Sequence, residues 1–170
     1  MTDRASRLEI RPATPADRAF LETGVGSTFD AHARLNPGYF TPRRRAGFLA
    51  NVDSGLTGRK AYSYRVATVD GARVGYVSIL GTGSLRIVQD IFVAPDRRGR
   101  GVARALLDDA AQRAGRDNAR FLHATVWDGN DASHALFASL GYAKKDGLLP
   151  SSIASLFPSL RATEYLLRLR

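Results

Sequence analysis

The sequence predicts an α+β fold, with a mixed, mostly antiparallel central sheet flanked by helices. Two observations support this. Three runs rich in β-forming residues follow one another closely and are separated by turn dipeptides, as in an antiparallel meander. The hydrophobic pattern then alternates strand, helix, strand, helix towards the C-terminus. Because 170 residues is a length typical of one domain, we expect a single domain over residues 1–170.

Capping and turn residues indicate where the elements begin and end. Thr14 and Asp17 read as a capping box at the start of a helix. The Asp70-Gly71 dipeptide is typical of a hairpin turn, and Gly115 is placed to end a later helix. The predicted elements are a strand at 8–10, helices from 15 to about 28 and from 42 to about 52, a loop at 54–60, strands at 63–69, 73–80 and 85–93, a helix at 102–114, a strand at 121–127, a helix at 131–140 and a strand at 164–169.

Composition narrows the class of protein. The chain has no cysteine, which excludes disulfides, thiolate metal sites and a cysteine nucleophile. No run of about 18 apolar residues is present, and the N-terminus lacks an apolar secretory segment. We therefore expect a cytoplasmic protein with no membrane partner. The three histidines are too scattered along the chain for a metal site, so no metal is expected.

The formal net charge of +9 has two interpretations. It favours an anionic partner such as a nucleic acid, a membrane surface or a polyphosphate cofactor. It is equally typical of an arginine-favouring genome, because only three of the 25 basic residues are lysines. The charge alone therefore does not identify a partner.

The stretch RRGRGVAR at residues 97–104 carries the strongest functional signal. It places Gly99 and Gly101 between an apolar strand and the start of an amphipathic helix. Glycines let the backbone approach a ligand, and the N–H groups at a helix N-terminus bind anions such as phosphate. A nucleotide-hydrolase loop needs a lysine that is missing here, and Arg104 replaces the third glycine of a dinucleotide fingerprint. An arginine–glycine RNA-binding tract belongs in a disordered segment, unlike this one.

Residues 89–142 resemble the GNAT superfamily of acetyl-CoA-dependent N-acetyltransferases. The superfamily's Arg/Gln-x-x-Gly-x-Gly/Ala turn is matched by residues 98–103, which follow the similar stretch QDIFVAP. A second superfamily element, Asn-x-x-Ala-x-x-Leu-Tyr-x-x-x-Gly-Phe, resembles residues 130–142. Both elements occur in the order and at the spacing of the superfamily, after helices and a hairpin that it also has.

The resemblance implies a GNAT fold, in which the middle strands splay apart and the strand before the loop carries a bulge. It implies acetyl-CoA as the co-substrate, with its pyrophosphate on the loop and its pantetheine arm paired with the preceding strand. The reaction it implies is acetyl transfer to a primary amine. The implied cofactor-binding residues are Ile91, Phe92, Val93, Arg98, Gly99, Arg100, Gly101, Val102, Ala103, Arg104, Asn130, Ser133 and Phe137.

The sequence departs from its relatives at two proton-transfer positions. Polyamine-acetylating members carry a glutamate base where this chain has Gln89, and a thiolate-protonating tyrosine where it has Phe137. Asp90 is the nearest retained carboxylate and the candidate catalytic base; a structural hydrogen-bond acceptor is the alternative. We expect slow acetyl transfer that rises with pH and that Phe137→Tyr accelerates. An acyl-CoA sensor without turnover is the alternative function.

The expected acceptor is a small-molecule or peptide amine that the sequence does not identify. Arg43, Arg44 and Arg45 are candidates for binding a carboxylate or phosphate on it, and an exposed basic helix turn is the alternative. A nucleic acid is the less favoured partner. The oligomeric state stays open, with a homodimer among the options.

Overall fold

The structure is a computed structural model that describes residues 7–145 and 162–169. Over these residues the strands are β1 (Leu8–Pro12), β2 (Tyr62–Val69), β3 (Ala72–Leu80), β4 (Leu85–Val93), β5 (Phe121–Trp127), β6 (Ala143–Lys145) and β7 (Ala162–Arg168). The α-helices are α1 (Arg18–Leu35), α2 (Pro42–Leu56), α3 (Val102–Arg116) and α4 (Asp131–Ser139). Within these ranges, no helix combines the length and the apolar character needed to cross a membrane.

The strands form one sheet in the order β1-β2-β3-β4-β5-β7-β6. The β4–β5 pair is parallel, and the other neighbouring pairs in the described part of the chain are antiparallel. The predicted mixed, mostly antiparallel sheet with flanking helices is therefore confirmed. Residues 1–6, 146–161 and 170 lie outside the described residues, so a single domain over 1–170 stays a prediction.

The first two helices are longer than predicted. α1 continues past residue 28 to Leu35, where the Asn36-Pro37 pair stops it. α2 continues past residue 52 to Leu56 and takes up the first three residues of the predicted 54–60 loop. The added turns are held by tertiary contacts: Phe29 of α1 packs on Phe40 and Phe48, and Gly55 of α2 lies against the Tyr64 ring.

Smaller differences between the predicted and observed elements occur in the C-terminal half of the chain. Gly115 lies inside α3, and the left-handed residue that follows this helix is Asn118, with a φ of 61°. Asparagine adopts this conformation more readily than most residues other than glycine. The short strand β6 was not predicted, and β7 begins two residues earlier than predicted.

Two apolar clusters cover opposite faces of the sheet. On one face, α1 and α2 pack on the strands through Leu21, Val25 and Val52, among others. On the other face, α3 and α4 pack through residues that include Leu106 and Phe137. The clusters hold α1 and α3 against the middle of the sheet from opposite sides, which positions both helices beside β4.

β4 and β5 separate halfway along their length. Their pairing covers residues 85–88 of β4 and 121–124 of β5. The register between β3 and β4 shifts at the same point: Ser78 lies opposite Asp90 and Ile79 lies opposite Val88, so Gln89 forms a bulge. A bulge bends its strand, and here it turns β4 away from β5. The expected splay of the middle strands is therefore present, and it opens a gap in the sheet.

Candidate functional site

The gap between β4 and β5 forms a cleft of about 660 Å³. Its walls are residues 89–93 of β4, the end of β5, the first turns of α3 and α4, and part of α1. Arg100 is exposed and does not line it. The cleft brings together the other predicted site residues: Asp90, Ile91, Phe92, Val93, Arg98, Gly99, Gly101, Val102, Ala103, Arg104, Asn130, Ser133 and Phe137.

The glycine loop presents an open backbone surface at the N-terminus of α3. Gly99 and Gly101 have φ values of 71° and 78°, which other residues rarely adopt. A Cβ atom at either position meets no atom within 4 Å, so nothing in the described structure covers the loop there. The first α3 hydrogen bond runs from Ala105 N–H to the Gly101 carbonyl, at 3.0 Å. The N–H groups of the preceding turn therefore have no intrahelical partner, and the helix dipole favours an anion beside them.

Three arginines line the cleft around this loop. Arg98 Nε donates to the Val93 carbonyl at 3.1 Å, which links the loop to the end of β4. Arg104 donates to the Ser139 hydroxyl at 2.9 Å and connects α3 to α4. Arg97 forms a salt bridge with Asp96 at 3.2 Å. Their guanidinium groups make this end of the cleft electropositive, which suits a phosphorylated ligand.

The edge of β4 offers main-chain groups to the cleft. Beyond Val88 the strand pairs with β3 alone, since β5 has diverged. Phe92 is buried against α1, while Ile91 and Val93 pack on the opposite core. With the side chains occupied in this way, an extended ligand in the gap would meet the backbone edge, as a further strand does.

The α4 side of the cleft is held by a cap and an aromatic stack. The Asn130 side chain accepts a hydrogen bond from Ser133 N–H at 3.3 Å and caps the helix. Phe137 is 3% exposed and stacks on Tyr165, with ring centroids 5.6 Å apart. The part of the wall that α4 contributes therefore combines the polar Asn130 and Ser133 with the apolar Ala132, Leu136 and Phe137.

Asp90 has a carboxylate with a shifted pKa. Burial disfavours its charged form and raises its pKa to about 7. The Tyr76 hydroxyl donates to Asp90 Oδ2 at 2.5 Å, and this bond opposes the shift without cancelling it. A carboxylate with a pKa near 7 is a suitable proton acceptor at neutral pH.

A second, smaller cavity of about 170 Å³ lies between α1, α2 and the sheet. The two spaces meet where β4 and β5 separate, because they share seven lining residues: Thr28, His32, Val88, Gln89, Asp90, Thr125 and Trp127. The Asp90 carboxylate thus lies at the junction of a long cleft and a compact side cavity. Such a junction can hold two substrates with their reacting groups adjacent.

The three candidate arginines of α2 line neither cavity. Arg45 Nε forms a salt bridge with Asp30 at 3.1 Å. The guanidinium of Arg44 lies over the Tyr39 ring, 4.0 Å from its centroid. Arg43 is exposed. The placement of these side chains favours the alternative of a basic helix turn over an anion site for the acceptor.

Several residues at the junction were missed by sequence reasoning. His32 lines both cavities, and burial lowers its pKa to about 4, so its imidazole is neutral at physiological pH. Thr28 lies one helical turn earlier on α1, and Trp127 ends β5. None belongs to a sequence motif. The single tryptophan, Trp127, is at the end of a predicted strand next to a turn, and this was the one sequence feature that could have pointed to the junction.

The order of the elements, the splayed strands and the glycine loop agree with the comparison of this sequence with protein families. The profile of the Acetyltransferase (GNAT) family matches residues 29–142, well over half of the chain. This chain belongs to the GNAT acetyltransferase family. The matched segment of this acetyltransferase runs from α1 to the end of α4 and contains both the glycine loop and Asp90. None of the curated protein sequences matches the chain significantly.

Solved structures share the fold of this GNAT chain. An acetyltransferase of the GNAT family from Staphylococcus aureus Mu50 superposes with a TM-score of 0.74 at 17% identity, covering 96% of this chain and 100% of its own. The PaiA N-acetyltransferase of Thermoplasma acidophilum, solved in complex with coenzyme A, has a TM-score of 0.68 at 11% identity over 93% and 98% of the two chains. Ribosomal-protein-alanine N-acetyltransferase from Brucella melitensis has a TM-score of 0.67 at 24% identity over 95% and 99%.

Proposed function

We propose that this acetyltransferase moves an acetyl group from acetyl-CoA to a primary amine, with Asp90 as the base that accepts the amine proton. The observation that carries the proposal is the position of Asp90, whose pKa is raised to about 7, at the junction of the two cavities. The long cleft suits acetyl-CoA, and the side cavity suits the amine. The coenzyme A complex of the similarly folded PaiA N-acetyltransferase supports this assignment.

In this proposal the cleft residues bind and orient the acetyl donor. The N–H groups at the start of α3, together with Arg98 and Arg104, hold the pyrophosphate. The free edge of β4 at residues 91–93 pairs with the pantetheine arm, and Asn130, Ser133 and Phe137 form the facing wall. The thioester then lies near the bulge at Gln89, because that is where the cleft reaches the side cavity.

The reaction forms one bond and breaks one bond. The neutral amine nitrogen attacks the thioester carbonyl carbon, the C–N bond forms, and the C–S bond breaks as coenzyme A leaves as a thiolate. Asp90 accepts the proton that the amine nitrogen loses, directly or through a water molecule. Holding both reactants at the junction replaces a collision between them with an oriented encounter.

Asp90 is a better base than the other titratable group at the junction. His32 has a pKa lowered to about 4 by burial, so its affinity for a proton is weak at neutral pH. Gln89 lines both cavities but has no proton-accepting group of useful basicity. Phe137 has no proton to donate to the leaving thiolate, which is consistent with the expected slow turnover.

Two measurements with acetyl-CoA test the proposal. The parent protein is expected to show a higher Tm when acetyl-CoA is added and to release thiol in the presence of an accepted amine. Acetyl-CoA stabilisation without thiol release for any primary amine would contradict acetyl transfer and support the sensor alternative.

The loop assignment is tested by Gly101→Asp. A negative side chain at the start of α3 is expected to abolish the Tm increase caused by acetyl-CoA. Gly58→Asp is the matched control, because Gly58 has a similar φ of 69°, an equally open Cβ position and no place in either cavity. Both variants carry the same backbone strain. If Gly101→Asp keeps the acetyl-CoA effect that Gly58→Asp shows, the loop does not hold the pyrophosphate.

A further inference from the structure

We infer that the acceptor is a primary amine on an uncharged body about the size of one aromatic ring, because the side cavity is compact, aromatic and free of cations among its described lining residues. A phenylalkylamine is the simplest such compound. The inference rests on the proposed acetyl transfer and specifies its acceptor.

The walls of the side cavity form a continuous aromatic cluster. Phe29 and Phe40 pack edge to face with centroids 5.1 Å apart, and Phe40 meets Trp127 at 5.3 Å. Tyr39 also contacts Trp127, with centroids 5.3 Å apart, and Phe48 lies 5.4 Å from Phe29. All five rings line the cavity. Aromatic rings prefer such edge-to-face and offset contacts, so a further ring fits among them.

The polar and apolar parts of this cavity are segregated. The residues that it shares with the cleft are polar apart from Val88 and Trp127: Thr28, His32, Gln89, Asp90 and Thr125. The residues that line it alone are apolar or aromatic: Val25, Phe29, Tyr39, Phe40, Phe48 and Ile87. A bound molecule would therefore place its polar group at the junction beside Asp90 and its apolar body among the rings.

The volume limits the size of that body. The side cavity measures about 170 Å³. An apolar cavity of about 150 Å³ is sufficient to admit benzene. One ring, or an aliphatic group of similar bulk, fits this space, whereas a sugar ring system or a long polyamine exceeds it.

The charges of the described residues that line the side cavity disfavour an acceptor with a second ionic group there. Among the described lining residues, Asp90 has a pKa raised to about 7, and burial lowers the pKa of His32 to about 4, so that its imidazole is neutral at physiological pH. No arginine or lysine is among those residues. A carboxylate or a second ammonium group among the rings would be desolvated without a counter-ion from the described lining residues, which is strongly unfavourable.

Matched acceptors test this inference through thiol release. The substrates are 2-phenylethylamine, L-phenylalanine, which adds one carboxylate to it, and spermidine, which replaces the ring with further amines. We expect kcat/KM for 2-phenylethylamine to exceed that for L-phenylalanine by at least about 100-fold. The carboxylate of L-phenylalanine is on the carbon next to its amine, so it would lose hydration beside the Asp90 carboxylate, with no arginine or lysine among the described lining residues of the side cavity. Spermidine is expected to be as poor as L-phenylalanine.

Two phenylalanine variants test whether the side cavity causes the preference for 2-phenylethylamine. Phe48→Ala removes a half-buried ring that lines the side cavity alone, and we expect it to raise KM for 2-phenylethylamine about 10-fold. Phe121→Ala removes a half-buried ring that lines neither cavity and is expected to leave KM unchanged. Both variants should keep the Tm increase with acetyl-CoA, which also reports that they are folded.

The outcomes separate this inference from the proposed function. Turnover of spermidine or L-phenylalanine in preference to 2-phenylethylamine would overturn the acceptor assignment and leave acetyl transfer intact. An equal KM increase in both phenylalanine variants would overturn the link to the side cavity. No thiol release with any of these three amines would overturn the acceptor assignment. Thiol release with another primary amine, such as a peptide N-terminus, would then leave acetyl transfer intact, whereas its absence across a broad panel of primary amines would contradict the proposed function itself.

Discussion

Asp17, just before α1, and Asp90, on β4, are both packed into the fold, and their pKa values move in opposite directions. Asp17 is fully buried and accepts hydrogen bonds from Arg11 at 2.7 Å and from Arg73 at 2.6 Å. The bond from Arg11, with those from Arg73 and Thr14, holds the pKa of Asp17 well below its usual range. The groups that act on Asp90 are uncharged, and burial raises its pKa to about 7.

The difference lies in what each carboxylate faces. Two guanidinium groups keep Asp17 ionised, so it serves as a fixed anion that ties β1 and β3 to the start of α1. Asp90 faces Tyr76 and the junction of the two cavities, and its charge is not paired with a cation among the described contacts. A paired carboxylate stabilises the fold, while an unpaired one near neutrality can exchange a proton with a substrate.

The largest expected effect is the loss of activity on Asp90→Asn. The amide keeps the size of the side chain and its bond from Tyr76 but cannot accept the amine proton, so kcat should fall by about 10²–10⁴-fold. In the parent, kcat/KM with a given amine is expected to rise with pH through about 7, and the variant should lose this inflection. Steady-state thiol release between pH 6 and 9 measures both.

The control is Asp17→Asn, which should leave the rate of thiol release unchanged as long as the protein is folded. An unchanged rate in Asp90→Asn would show that Asp90 has a structural role and is not the base.

The next effect is the loss of stability on Asp17→Asn. Losing the buried charge that accepts hydrogen bonds from Arg11 and Arg73 is expected to cost about 1–3 kcal/mol, since these two side chains are 38% and 37% exposed and water compensates part of the loss. For a domain of this size, each kcal/mol lowers Tm by about 2–4 °C. The folded pKa of Asp17 is depressed, so its stabilisation is present above the unfolded pKa of 3.8 and is lost as the pH falls below it. Thermal unfolding at pH 7 and pH 3 measures this, and an equal Tm difference at both values would contradict it.

The smallest effect is a gain of stability on Asp90→Asn at neutral and higher pH. The folded pKa of Asp90, about 7, lies above the unfolded 3.8, so the folded protein binds the proton more tightly. Stability from this group is therefore complete below about pH 4 and declines as the pH rises to 7. The variant does not titrate, and its Tm should exceed that of the parent by a few degrees at pH 8 and by less at pH 5. A Tm difference that does not change with pH would show that Asp90 is charged across this range.

Local patterns were sufficient for much of the fold and for the cofactor side of the site. The glycines at 99 and 101 and the helix that follows them are contiguous, so their conformation is determined mainly by neighbouring residues. The ends of α1 and α2 were placed too early, because their final turns depend on tertiary contacts, of Phe29 with Phe40 and of Gly55 with Tyr64. The sequence did not show whether the three arginines of α2 bind an anionic group of the acceptor or form an exposed basic turn. The salt bridge from Arg45 to Asp30 favours the basic turn.

The sequence by itself determined the α+β class, the order of most elements and the position of the glycine loop, because hydrophobic period, turn dipeptides and helix starts are read over a few residues. The proposed acceptor side of the site, in contrast, depends on contacts between residues that are distant in the sequence. The side cavity is built from α1, α2, β4 and β5, whose contributing residues lie as far apart as Val25 and Trp127 in the chain. The pKa of Asp90 likewise depends on Tyr76 and on helix α1, and such long-range burial has no counterpart in a local pattern.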